Sequence, residues 1–181
     1  VLGFVGSLRE DSYNRALLRA AVRLAPRSMT IEPFELGGIP LYNADRDTDE
    51  RRPEEVRRFK QAIEEADALL VVTPEYLKGI PGVLKNAIDW ASRPARRSVL
   101  RDKPAGIMGA STGAVGTARA QEQVKLALTA PLCRVMPHPG VLVAEADEKF
   151  EDGELAHEPT RRHVRSYLSD LEAWVATCGG G

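Results

Sequence analysis

Three short stretches hold the residues whose types suit chemistry. In GSLREDSYN (6–14), two hydroxyls, an amide and a guanidinium stand just before a helical pattern that starts near Ser12. Backbone N–H groups at a helix N-terminus form an anion site. Ser7, Arg9, Ser12 and Asn14 would add donors there, each charge-assisted bond contributing about 1.5–3 kcal/mol. The plainer reading makes Ser12 a helix cap, Asn14 a helix residue and Arg9 a solvated charge. The P-loop pattern GxxxxGK(S/T) is absent, and GxGxxG fails because Gly3 and Gly6 are not followed by a third glycine. Several hydroxyl donors without the pyrophosphate glycines fit a single phosphate, and hence a mononucleotide.

The second stretch is TPEYLKGIPG (73–82). Pro74 and Pro81 stiffen it, while Gly79 and Gly82 allow close approach to its backbone. Tyr76 would cover a flat ring, and free N–H and C=O groups of a rigid loop would read a heterocycle's edge. The alternative is a loop kept tight only to turn the chain. The third stretch, GASTGAVGTARAQ (109–121), again sets small and hydroxyl residues before a helix. Ser111, Thr112 and Gly113 would pass along one side of a ring, and Gly116 would permit close approach; otherwise the segment is a flexible loop with Thr117 as a cap.

Apolar runs and helical periodicity supply the elements that must position these loops. Buried strands are expected at VLGFV (1–5), ALLVVT (68–73) and PAGIMGAS (104–111), each nearly all apolar. MTIEPFEL (29–36) reads as a strand that Pro33 confines to a sheet edge, and CRVMPHPGVLVAEA (133–146) as a broken last strand. Helices are expected over 14–25, 54–66, 81–92, 118–130 and 158–177, with Pro81 in the first turn of its helix. In that helix Ile80, Val83 or Leu84, Ala87, Ile88 and Ala91 form a stripe, which makes Trp90 a core or interface residue. Strands that are apolar throughout and alternate with helices indicate a parallel sheet covered on both faces, a doubly wound α/β domain. Such folds bind ligands at the carboxyl ends of the strands, where all three chemical stretches fall.

The 181 residues fit one domain, 1–181, large enough to bury a sizeable core. A net charge of -1 gives no reason to expect nucleic acid or an anionic membrane as partner. No apolar segment approaches the ~20 residues of a membrane span. The opening VLGFVG reads as a strand that begins at once, short of a residue or two of the native start, and not as a signal peptide. Cys133 and Cys178 read as reduced thiols, which suits a cytoplasmic protein. His138 reads as a loop residue, His157 and His163 as surface positions of the last helix, and DRDTDERR (45–52) as a solvated loop. No His, Asp or Glu set has metal-ligand spacing, and the only low-complexity segment is the terminal GGG.

With these motifs in this order, the sequence resembles the NAD(P)H-dependent FMN reductases of flavodoxin-like fold, a group that includes bacterial quinone, chromate and azo-dye reductases. The matching pieces are GSLREDSYNRAL (6–17), PEYLKGIPGVLKNAIDWASR (74–93) and, more loosely, ASTGAVGTARAQ (110–121). The resemblance implies a five-stranded parallel sheet of order 2-1-3-4-5 and bound FMN. Ser7, Arg9, Ser12 and Asn14 would hold the phosphate; Pro74, Glu75, Tyr76 and Leu77 would line the isoalloxazine; Ser111, Thr112 and Gly113 would flank it. It implies that NADPH or NADH delivers hydride to flavin N5 and that a small-molecule acceptor, quinone-like or other, takes the electrons, with no catalytic side chain. It also implies a homodimer or homotetramer. The sequence departs from the family pattern at PEYLK, where relatives usually have asparagine in place of Leu77, and at Gly116–Thr117, where they often have two glycines. Rival readings are a flavodoxin-like one-electron carrier, which the small net charge disfavours, and a scaffold or sensor that has lost the flavin.

Overall fold

The computed structural model describes residues 1–179; of the terminal GGG run, Gly180 and Gly181 lie outside the described residues. At its centre, β1 (Leu2–Val5), β3 (Leu69–Val72) and β4 (Pro104–Ala110) are buried at every position. All pairings in this sheet are parallel, in the order β2 (Glu32–Phe34), β1, β3, β4 and β5 (Arg134–Val135). The register sets Leu2 beside Leu69 and Leu69 beside Ala105.

Because neighbouring strand residues point to opposite faces, the buried strands feed two separate cores. Leu70 and Val72 face α1 (Tyr13–Leu24) and α5 (Glu158–Gly179), whose Leu17, Ala21, Val164 and Leu168 complete that side. Leu69 and Val71 face α2 (Glu54–Glu65), α3 (Gly82–Ala91) and α4 (Ala118–Thr129). Trp90 belongs to this second core. It is fully buried, its indole N–H donates to Pro40 O at 2.8 Å, and Tyr42 packs edge-on against it.

Two expected strands are shorter than their apolar runs. The 29–36 run yields only β2 (Glu32–Phe34), at the edge where Pro33 can sit because it lacks a ladder N–H. The last strand is broken into β5 (Arg134–Val135) and β6 (Val141–Val143), which pair with opposite ends of β4. Between them the Ile107 N–H of β4 lacks a strand partner, and Tyr167 of α5 accepts it on its buried phenol oxygen at 2.6 Å. Gly106 leaves room for that oxygen, which a Cβ there would meet at 3.1 Å. Burial pushes the Tyr167 phenol above its usual pKa. His138 lies in the loop of the break, edge-on to Tyr167.

The acidic and basic run at 45–52 is exposed as expected except at Asp47 and Arg52. Arg52 donates to Asp47 at 3.0 Å, and the two side chains are only 13% and 9% exposed. His157 precedes α5 and meets Thr160 Oγ1 at 2.8 Å; both it and His163 are exposed. A hairpin of β7 (Phe150–Glu151) and β8 (Glu154–Leu155) was not visible as periodicity, being too short to alternate. Its turn, Asp152–Gly153, has the positive φ values of 48° and 75° that Asp-Gly pairs favour in two-residue hairpins. Both cysteines are free, and burial pushes the Cys133 thiol up to about 12.

Candidate active site

The carboxyl ends of β1, β3 and β4 deliver the three chemical loops to one end of the sheet, where a cleft of about 180 Å³ lies between them. It is lined from the first loop by Ser7, Arg9, Ser12 and Asn14, from the second by Pro74, Glu75 and Tyr76, and from the third by Ser111 and Thr112. Two expected residues are not in its lining. Gly113 lies one residue further along the third loop, its N–H turned to Ser111 Oγ at 3.1 Å. Leu77 stands at a turn tip, fully exposed.

The first loop is rich in uncommitted donors. Among the described residues, no protein acceptor is found for the backbone N–H groups of 7–12. Arg9 is exposed and makes no ion pair among the described residues. Ser12 caps α1, its hydroxyl oxygen accepting the Asn14 N–H at 3.2 Å; a hydroxyl that accepts one bond still has its own proton to donate. Asn14 is committed differently. Its side-chain amide donates to Ala110 O at 2.9 Å and accepts from Ala110 N at 2.8 Å, so it ties the start of α1 to the end of β4. One Nδ2 proton remains for a ligand on a residue that is 3% exposed.

The second loop makes a wall. Tyr76 is half exposed, and its hydroxyl meets Ser7 Oγ at 3.2 Å, so the ring leans over the first loop. Glu75 turns its carboxylate away, towards the first turn of α4. There it accepts the Arg119 N–H at 2.9 Å, the Ala120 N–H at 3.1 Å and the Arg119 guanidinium at 3.2 Å. Thr117, the α4 cap on the plainer reading of this loop, makes no capping bond with its side chain; Glu75 does that work from a distant loop. Ser111 is pinned by its N–H to Val143 O at 2.9 Å, which holds the third loop against β6.

Tyr13 and Ala110 also line the cleft. Tyr13 stands inside the first motif, and an aromatic residue between two donors was the available signal. Nothing local to Ala110 marks it, since its place depends on the amide of Asn14.

An open parallel sheet with its cleft at the β1, β3 and β4 carboxyl ends, a donor-rich first loop and an aromatic wall defines a flavodoxin-like mononucleotide-binding protein. The chain belongs to the NADPH-dependent FMN reductase family, whose model matches residues 1–148. It is 42% identical over 172 residues to a 2-hydroxy-1,4-benzoquinone reductase of a Burkholderia species, covering 94% of this chain and 93% of that one. It is 44% identical over 181 residues to an NAD(P)H-dependent FMN reductase of Pseudomonas aeruginosa, covering 99% and 97%. Among solved structures it matches a flavoenzyme NAD(P)H:(acceptor) oxidoreductase of Paracoccus denitrificans with a TM-score of 0.87 at 35% identity, over 97% and 96% of the two chains. The protein is therefore an NAD(P)H-dependent flavin oxidoreductase with FMN as its cofactor.

The donor set suits that cofactor. A phosphate monoester needs N–H and O–H donors with a cation near, and residues 7–12 with Arg9 supply both, while the carboxylate of Glu75 in the lining is turned to the α4 N–H groups.

Proposed function

We propose that the cleft holds FMN with its phosphate on the first loop and its ring between the second and third, and that the acceptor is a small quinone. One observation carries this reading: in a single cleft, a donor loop and an arginine that have no partner among the described residues face a half-exposed tyrosine wall. When bound, FMN supplies the two-electron relay between NAD(P)H and the acceptor. The protein's share is binding and orientation. Arg9 and the Ser7 and Ser12 hydroxyls neutralise and fix the phosphate. Tyr76, braced by Ser7, covers one side of the flat ring, and Ser111, Thr112 and Gly113 bound another. Pro74 and Glu75 contribute backbone, because the Glu75 carboxylate is engaged on α4. Asn14 keeps the first and third loops at a fixed separation and has one proton left for the phosphate. Leu77 contributes through its backbone alone.

The benzoquinone acceptor is supported by the 42% identical relative named for that substrate. The same reading takes 1–181 as one FMN-binding domain working in the cytoplasm. It also includes assembly as a homodimer or homotetramer. The test is a visible spectrum of the purified protein, followed by anaerobic addition of NADPH or NADH and then of benzoquinone. We expect a flavin spectrum that bleaches with the nucleotide and returns with the quinone. A protein that takes up no FMN, or whose reduced flavin is not reoxidised by quinone, would sink the proposal.

A further inference from the structure

The turn at the end of the second loop has the wrong residues for its shape. Tyr76 and Gly79 exchange both backbone bonds, at 3.1 and 3.0 Å, so Leu77 and Lys78 form a two-residue hairpin loop. Their φ values are 49° and 61°. Two left-handed residues in such a loop favour glycine, asparagine or aspartate, because a Cβ crowds the following carbonyl oxygen and only short polar side chains offset this with local hydrogen bonds. The Asp152–Gly153 hairpin of the same chain has that geometry with suitable residues. Burial does not compensate at the strained turn. Leu77 is fully exposed, and Lys78 is exposed without an ion pair among the described residues.

The compensation comes from α4. Gln123 accepts the Ile80 N–H on Oε1 at 2.9 Å, and its Nε2 approaches Lys78 O at 3.4 Å. Four residues earlier on the same helix face, the Arg119 N–H takes Glu75. The helix therefore grips the loop on both sides of the turn. Gly79 allows this, since a Cβ there would meet Gln123 Oε1 at 3.0 Å.

We infer that Gln123 is a positioning residue: from α4 it holds the 76–79 turn in a conformation its own residues disfavour, and so sets Tyr76 against the flavin. This rests on the reading that the cleft takes FMN. Gln123 touches the loop and acts through Tyr76, whose N–H and C=O both belong to the turn.

The experiment compares Gln123→Ala, alone and with Lys78→Gly, by FMN titration of the apoprotein, thermal melting and amide exchange at Gly79. Alanine suits an exposed helix position, so Gln123→Ala should melt within about 2 °C of the parent. Its FMN dissociation constant should rise about five- to tenfold as the turn relaxes, and Gly79 should exchange faster. Adding Lys78→Gly, which accepts a positive φ, should return the constant to within about twofold of the parent. An unchanged constant in Gln123→Ala would overturn the inference, as would a loss that Lys78→Gly does not repair. So would a lowered melting point with FMN affinity intact, which is the mark of a brace for the helix alone. An Arg9→Ala control separates the two readings. If it weakens FMN while Gln123→Ala is silent, only the clamp fails; if both are silent, FMN does not sit in this cleft.

Discussion

Two helices begin at the same end of the sheet, and their N-termini are used in opposite ways. At α1 the cap is a serine from the adjoining loop, and among the described residues the preceding backbone N–H groups have no protein acceptor and Arg9 no ion-pair partner. At α4 the N–H groups of Arg119 and Ala120 are already taken by the carboxylate of Glu75. Both termini carry the same partial positive charge. What separates a ligand site from a structural joint is which donors remain uncommitted. The filled terminus serves the open one, because Glu75 anchors the loop that carries Tyr76, and Tyr76 leans on Ser7 beside the α1 terminus.

The sharpest way to break this contrast is to remove the free cation. Arg9→Ala deletes a charge-assisted bond to the phosphate, about 1.5–3 kcal/mol, and should raise the FMN dissociation constant roughly 10- to 150-fold. Arg9 makes no ion pair among the described residues, so the apoprotein should melt as the parent does. Fluorescence titration and a melting curve check the two halves. Unchanged affinity would mean that the open terminus is not where the phosphate sits.

Ser12→Ala should fall next in size because it touches stability and binding together. Loss of the cap costs about 1 kcal/mol of stability. Loss of a neutral hydroxyl donor should weaken FMN by about two- to tenfold, one ordinary hydrogen bond of ~0.5–1.5 kcal/mol. Thermal melting in the presence and absence of excess FMN separates the terms. A purely structural Ser12 would lower both curves equally.

The two termini were not equally legible. The open one lies within nine consecutive residues, so its hydroxyls, arginine and helix start could be read together, and Ser12 caps where expected. The sheet was legible for a similar reason, since runs such as LLVV report burial on both faces without any partner being known. The filled terminus depends on a bond between residues 44 positions apart, and no local pattern points from Glu75 to Arg119. Asn14 and Ala110 are 96 apart and Tyr167 and Ile107 are 60 apart. In each case the side-chain type was visible and its backbone partner was not. Leu77 shows the converse limit: its departure from the family pattern was plain, but the positive φ that gives the departure its consequence belongs to the turn.

The smallest expected effect on flavin, and the one that best sharpens the contrast, belongs to Glu75→Gln. The glutamine has the same shape and keeps one oxygen to accept from the α4 backbone, but it brings N–H donors opposite the guanidinium of Arg119. The Arg119 ion pair adds little, because Arg119 is half exposed and such pairs contribute ~0–1 kcal/mol. The bonds to the Arg119 and Ala120 N–H groups matter more, since the carboxylate is only 9% exposed and its charge faces the helix dipole. Together these set a loss of about 1 kcal/mol in stability. The FMN dissociation constant should change by less than about threefold, because the phosphate is held at α1 and Gln123 still grips the turn. A constant that rises as far as in Arg9→Ala would show that the α4 terminus is itself part of the anion site.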